Sequence, residues 1–427
     1  MKLSPTALGL LFGTALVATP ATAQYGSASQ ASNTSQPSQA QPASSGTTAP
    51  ANQPKVSKDA SKALSDLQKA VNAKDTANIP AAIAAAQAKV KTKDDKYVLA
   101  QLQLKAAVDA NDNARVITGL QAVVDSGFLS PAETAPLYMN LGKLNFNAKA
   151  NDPAAAAFEQ VLKAEPNNVE ATILLAESRN AQGRTAEAVS LIEKAIAAKS
   201  AAGQKAEESW YKRAVALAFN AKLPNAPELS RQWVAAYPNA KAWRDTIRIY
   251  QGSGQLDDNV LLDSMRLAHA TGALAGESDY FRFANTLVTK GFAGEAKAVL
   301  EQGFAAKSID KSRLTFSQLY SVASTRSQGD QASLDGSAKT ALAAASARQA
   351  MVTAEAYYGY GEYAKAAELF RAALGKDGVD KDLANLRLGM SLTMAGDKAG
   401  AEAALKAASG SQSEIAKLWL TYLATKA

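Results

Sequence analysis

The sequence predicts an all-α fold, a solenoid of stacked antiparallel helix pairs, and three observations carry that expectation. A 34-residue unit opens at Ala135 and returns at Val169 with the same skeleton: Tyr138, Leu141, Gly142, Ala154 and Phe158 in one copy, Leu175, Ala176, Gly183, Ala188, Ile192 and Ala195 in the next. A fixed period of this size marks one helix pair repeated along the chain. From about Ser57 onward, alanine, leucine, lysine, glutamate and glutamine dominate, and these are strong helix formers. No stretch alternates apolar and polar residues long enough to make a strand.

Taken in order, residues 1–23 read as a secretory signal peptide. Lys2 supplies the charged start, Thr6 to Ala18 the apolar run, and Ala21-Thr22-Ala23 the small-residue cleavage site. Residues 24–56 read as a disordered linker, because Gln24 to Pro54 carries no charge and consists almost wholly of Ser, Gln, Ala, Pro, Thr, Gly and Asn. Ser57–Thr92 and Lys93–Ser130 read as two divergent helix pairs, so that 57–134 precedes the clearer solenoid of 135–427. Pairs at Ala135–Asn168, Val169–Ala202 and Glu207–Ala240 are clear, and Lys241–Gly276 is degenerate, interrupted at Gly252-Ser253-Gly254. Glu277–Asp310 is clear again, whereas Lys311–Ser346 is degenerate and its Gly329 to Gly336 stretch reads as a long loop. Ala347–Asp380 and Asp382–Gln412 close the series, and Glu414–Ala424 reads as a terminal capping helix. Lys339–Tyr358 reads either as one continuous helix or as two. The degenerate stretch at 241–276 suggests a break between two lobes.

The spacing within a pair has a physical cause. Tyr138, Leu141 and Gly142 recur at i, i+3 and i+4 on the first helix, and Ala154, Phe158 and Val161 at i, i+4 and i+7 on the second. The small residues Gly142 and Ala154 let the helices approach while Phe158 fills the space beside them. A glycine ending the first helix (Gly183, Gly291, Gly361, Gly396) accepts the left-handed conformation there. The run Tyr357-Tyr358-Gly359-Tyr360-Gly361-Glu362-Tyr363-Ala364-Lys365-Ala366-Ala367-Glu368-Leu369-Phe370 has an aromatic, a Gly-acid-aromatic turn, a small residue and a second aromatic in order. Gly291, Gly361 and Gly396 stand 70 and 35 residues apart. This pattern resembles the tetratricopeptide repeat family over most of the chain from Ala135. The resemblance implies a right-handed superhelix and a concave binding face lined by the first helices.

Very little in the sequence suits catalysis. There is no cysteine, and His269 is the only histidine, so no Cys- or His-based nucleophilic triad and no paired-His zinc motif can be assembled. His269 is read as a packed or partly exposed helix residue rather than a ligand. The Gly252-Ser253-Gly254 stretch lacks the Gly-Lys-Ser/Thr of a phosphate loop, and Asp257-Asp258-Asn259 reads as a helix cap at Val260. Glutamates such as Glu177, Glu187 and Glu193, or Glu355, Glu362 and Glu368, are read as outer-face charges. No cofactor or metal is expected. The chain has a net charge of +7 from 46 Lys plus Arg against 39 Asp plus Glu. These are interspersed with no cluster that would mark a nucleic-acid footprint.

The tetratricopeptide resemblance implies groove positions residue by residue. They are Met139, Lys143 and Phe146, then Ile173, Glu177 and Asn180, then Tyr211 and Val215, Phe281 and Asn285, Met351, Glu355 and Tyr358, and finally Leu386 and Met390. The lysine–asparagine–arginine set of chaperone-binding members is absent. The sequence therefore predicts a non-catalytic protein-interaction scaffold of the bacterial cell envelope. It would be exported and most consistent with a Gram-negative periplasm, binding a protein or peptide in its groove without membrane insertion once the signal is cleaved. The alternatives are a helical spacer in a polysaccharide-export or cell-wall synthesis complex, and, less favoured, a solenoid hydrolase acting on cell-wall glycans.

Overall fold

A computed structural model describes residues 53–254 and 256–426; the signal-peptide reading and nearly all of the linker lie outside them. The described residues form twenty α-helices and no strand, in two compact units that part between Ala202 and Gly203.

The first unit holds α1 (Lys58–Asn72), α2 (Ile79–Gln87), α3 (Lys93–Asp109), α4 (Asn113–Asp125), α5 (Pro131–Asn147), α6 (Asn151–Ala164), α7 (Val169–Ala181) and α8 (Thr185–Ala201). Each helix packs on the next, and the first helices of successive pairs also touch, α1 on α3 and α5 on α7. The local sequence fixes the ends. Ser130 accepts from Glu133 N while the Glu133 carboxylate accepts from Ser130 N at 2.8 Å, a capping box that starts α5 at Pro131, four residues before the unit read from sequence. Thr92 and Asp95 form the same box on α3. The Asp95 carboxylate also accepts from Ser57 N and Ser57 Oγ, both at 2.8 Å, and so ties α1 to α3. Burial pushes that carboxyl up, yet the hydrogen bonds from Ser57, Thr92 and Lys91 outweigh it and hold it at about 2.

The expected Gly–Phe contact is present. A Cβ on Gly142 would sit 2.4 Å from the Phe158 ring, so only glycine lets α5 meet α6 there. Where the turn glycine is missing, another residue takes the left-handed conformation: Lys149 follows α5 at φ 60°, where Gly183 follows α7 at φ 78°.

The second unit holds α9 (Glu208–Asn220), α10 (Ala226–Ala236), α11 (Ala240–Gly252), α12 (Asp258–Ala270), α13 (Gly276–Lys290), α14 (Ala293–Ala305), α15 (Leu314–Ala343), α16 (Ala347–Gly359), α17 (Tyr363–Ala373), α18 (Lys381–Ala395), α19 (Lys398–Ala407) and α20 (Ser413–Thr425). The Asp257 cap is as expected, its side chain accepting from Asn259 N and Val260 N at 2.9 Å. Two sequence expectations fail. Gly329 to Gly336 is not a loop but the middle of the 30-residue α15. Phe316, Ala323, Ser327, Leu334 and Ala341 are its buried residues, a spacing of 7, 4, 7 and 7 that forms one seam. That packing offsets the roughly 1 kcal/mol intrinsic cost of each exposed helical glycine. The Lys339–Tyr358 segment is two helices, broken at Ala344–Ser346.

The other correction concerns the break near 241–276, since the units part instead at Ala202. Helices α11 and α12, which fill that stretch, are tied to the end of their own unit. Trp243 meets Tyr422 edge-on at 5.9 Å, and Tyr422 Oη donates to Ala270 O at 3.0 Å. The terminal helix α20 packs on α19, but also on α10, α12 and α18, with Trp419 fully buried. It closes the second unit on itself.

Candidate binding face

The two units treat their groove positions differently. In the first unit Met139, Lys143 and Phe146 on α5 and Ile173, Glu177 and Asn180 on α7 are all half-buried, on two helices that touch. Met139 and Phe146 rest on the buried cluster of Ala154, Ala155, Phe158 and Leu175, with Leu162, Leu174 and Leu191 beside them. Lys143 Nζ lies 2.7 Å from Glu170, a pair exposed on both sides and therefore weakly held. Asn180 Oδ1 accepts from Thr185 Oγ1 at 3.4 Å. The face thus offers thioether and phenyl groups anchored from beneath, with a half-buried sec-butyl group, a cation, a carboxylate and an amide beside them. It is chemically suited to an amphipathic segment.

In the second unit most groove positions are not a surface. Tyr211, Val215, Glu355, Tyr358, Leu386 and Met390 are all buried, the last two completely, and they hold the fold. Met351 is half-buried, and only Phe281 and Asn285 are exposed. For Glu355 and Tyr358 the physical reason is a buried ionic network across the unit. Arg266 Nε and Nη2 donate to the Glu295 carboxylate at 2.9 and 2.7 Å, Nη2 also to Glu355 at 2.7 Å, and Nη1 to Asp263 at 3.0 Å. Arg387 on α18 donates through Nε to Asp263 at 3.3 Å and pairs through Nη1 with Glu355. Burial pushes the Glu355 carboxyl up, but Arg266 and Arg387 outweigh it and hold it below the ordinary range. Burial wins at Asp263, whose carboxyl is raised despite both guanidiniums.

Sequence reading missed this network, although a signal was present. Between Leu383 and Ala395, Arg387 is the only charge. A helix apolar on every side is buried, so a lone arginine in it must be paired inside. Which carboxylate pairs with it, 124 residues earlier in the chain, no local pattern could say.

Among the described residues no cluster of three His, Cys, Asp or Glu is arranged to hold a metal. Glu187 is paired with Arg184 at 2.6 Å, and Glu362 with Lys365 at 3.3 Å. His269 packs against Phe283 at 5.9 Å between ring centres; burial lowers its pKa. No helix among the described residues is long and apolar enough to cross a membrane.

A tetratricopeptide repeat family model matches residues 146–206, from the end of α5 through α6, α7 and α8. Over that segment the chain is similar to tetratricopeptide repeats. Repeats of this family are in general non-catalytic modules for binding other proteins, and the matched segment includes α7, one of the two helices of the open face. Among solved structures, Naa15/Naa10 bound to HypK-THB aligns at 14% identity with a TM-score of 0.25, over 80% of this chain and 62% of that one. This chain therefore spans less than two thirds of the length of that structure. No curated protein matches it.

Proposed function

We propose that this protein is a non-catalytic scaffold that captures an amphipathic peptide or helix on the open face of α5 and α7. The observation that carries the reading is the contrast between the units. The six groove positions of the first unit stay half-exposed on touching helices, while Tyr211, Val215, Glu355, Tyr358, Leu386 and Met390 in the second unit are buried. A face built on two packed helices is preformed, which lowers the ordering cost of binding. The signal-like start at Lys2, the Ala21–Ala23 cleavage pattern and the lack of cysteine favour export to the bacterial envelope as the place where the partner is met.

The test is a displayed peptide library selected on the chain 24–427. Selected peptides should carry apolar residues at helical spacing and lose binding to Phe146→Glu and Ile173→Glu while keeping it for Val352→Glu, an exposed site on α16. Binding that survives both changes on α5 and α7 removes the proposal. Export is checked separately by fractionating cells that express the full chain.

A further inference from the structure

The buried charges of the second unit do not balance. Asp263, Glu295 and Glu355 face Arg266 and Arg387, three carboxylates against two guanidiniums, and none of the five is more than 6% exposed. A surplus carboxylate in a low-dielectric interior is costly unless something positive meets it. Beside the network lies a cavity of about 330 Å³, within the size range of small-ligand sites. Its wall includes Arg266, Glu295, His269, Tyr358 and Tyr363. At its rim Lys297 and Glu301, 3.9 Å apart, offset each other.

The wall selects against anions and for cations. Arg266 already donates to three carboxylates and lies 4.9 Å from the Tyr358 ring centre and 5.3 Å from that of Phe292, so it is committed to the protein. The Glu295 oxygens each accept one hydrogen bond from Arg266 and retain lone pairs. His269 Nε2 is buried without a hydrogen-bond partner, and a buried polar atom left unpaired costs free energy. Tyr358 and Tyr363 meet edge-on at 5.2 Å and supply aromatic surface.

We propose that this cavity takes a small organic cation bearing N–H donors, an alkylammonium or guanidinium group. Its charge balances the third carboxylate, its N–H groups reach Glu295 and His269 Nε2, and its methylenes lie on the tyrosine rings. The group belongs either to a free amine or to a basic side chain, and the two are separable by experiment.

Calorimetric titration of the full chain near neutral pH with putrescine, arginine methyl ester and a short peptide holding one lysine tests this. Saturable one-to-one binding of any of the three is expected, the binding arm identifying the source, with none for succinate, a dianion of similar length. Ala298→Trp, at an exposed position on the cavity wall, blocks entry without touching the buried pairs. His269→Phe keeps the packing on Phe283 but removes the acceptor. Each should weaken binding roughly tenfold or more, and Ala298→Trp should leave the thermal midpoint of the helical signal unchanged. No saturable heat from any amine at millimolar concentration overturns the proposal, because the surplus charge is then met by a proton alone. Equal binding of succinate, or full affinity in Ala298→Trp, overturns it as well.

Discussion

Replacing Arg387 by methionine should destabilise the second unit. Its Nε lies 3.3 Å from Asp263 and its Nη1 pairs with Glu355. At an effective dielectric near 20, a contact of about 3 Å is worth roughly 5 kcal/mol of attraction. Desolvation of the guanidinium cancels much of this in the native protein, but truncation leaves both carboxylates buried, and losses of about 3–5 kcal/mol follow. With an m-value of about 2 kcal/mol per molar, that moves the urea midpoint down by about 1.5–2.5 M. The assay is specific, because the tryptophans Trp210, Trp233, Trp243 and Trp419 all lie in the second unit.

The pH dependence has a definite sign. Without Arg387, the Asp263 and Glu355 carboxyls both rise above the unfolded range. A raised carboxyl holds a proton in the folded state that the unfolded chain has released, so the variant loses stability as pH rises through the folded pKa. The deficit should be smaller near pH 5 than near pH 8. Adding Glu355→Gln returns the network to a single surplus carboxylate and should recover roughly half the loss or more. A midpoint shift below about 0.5 M, or a deficit that grows on acidification, would refute the reasoning.

Other perturbations have equally definite outcomes. Asp95→Asn should cost the first unit about 2 kcal/mol at pH 7. The wild-type advantage should vanish as pH falls from the ordinary aspartate range through about 2, followed by circular dichroism in urea. Lys149→Gly relieves a left-handed lysine at φ 60° and should stabilise by about 0.5–1 kcal/mol in the same measurement. Gly142→Val forces a side chain against Phe158, whose ring would lie 2.4 Å from the new Cβ, and should cost about 1–3 kcal/mol or more. Trp419→Ala empties a fully buried site on α20 and should cost about 3–5 kcal/mol, read as an earlier urea transition of the remaining tryptophans.

How far the fold was legible follows from where its determinants sit along the chain. Helix pairing is local: Gly142 and Phe158 are 16 residues apart, so the repeat announces the contact. The seam of α15 was also written locally, at Phe316, Ala323, Ser327, Leu334 and Ala341, yet Gly329 and Gly336 read more loudly as breakers. Closure of the second unit was not legible, because it depends on pairs such as Arg387 with Asp263 and Tyr422 with Ala270, 124 and 152 residues apart. The groove positions were therefore identified by repeat register alone. Register does not tell whether other helices of the same unit will bury them, as happens at Leu386 and Met390 and not at Met139 and Phe146.

The contrast between an open first face and a closed second one is tested most directly by hydrogen–deuterium exchange with a saturating library-selected peptide. Slowed exchange is predicted along Pro131–Asn147 and Val169–Ala181, with Ala347–Gly359 and Lys381–Ala395 unchanged. Protection confined to those latter helices would contradict the account.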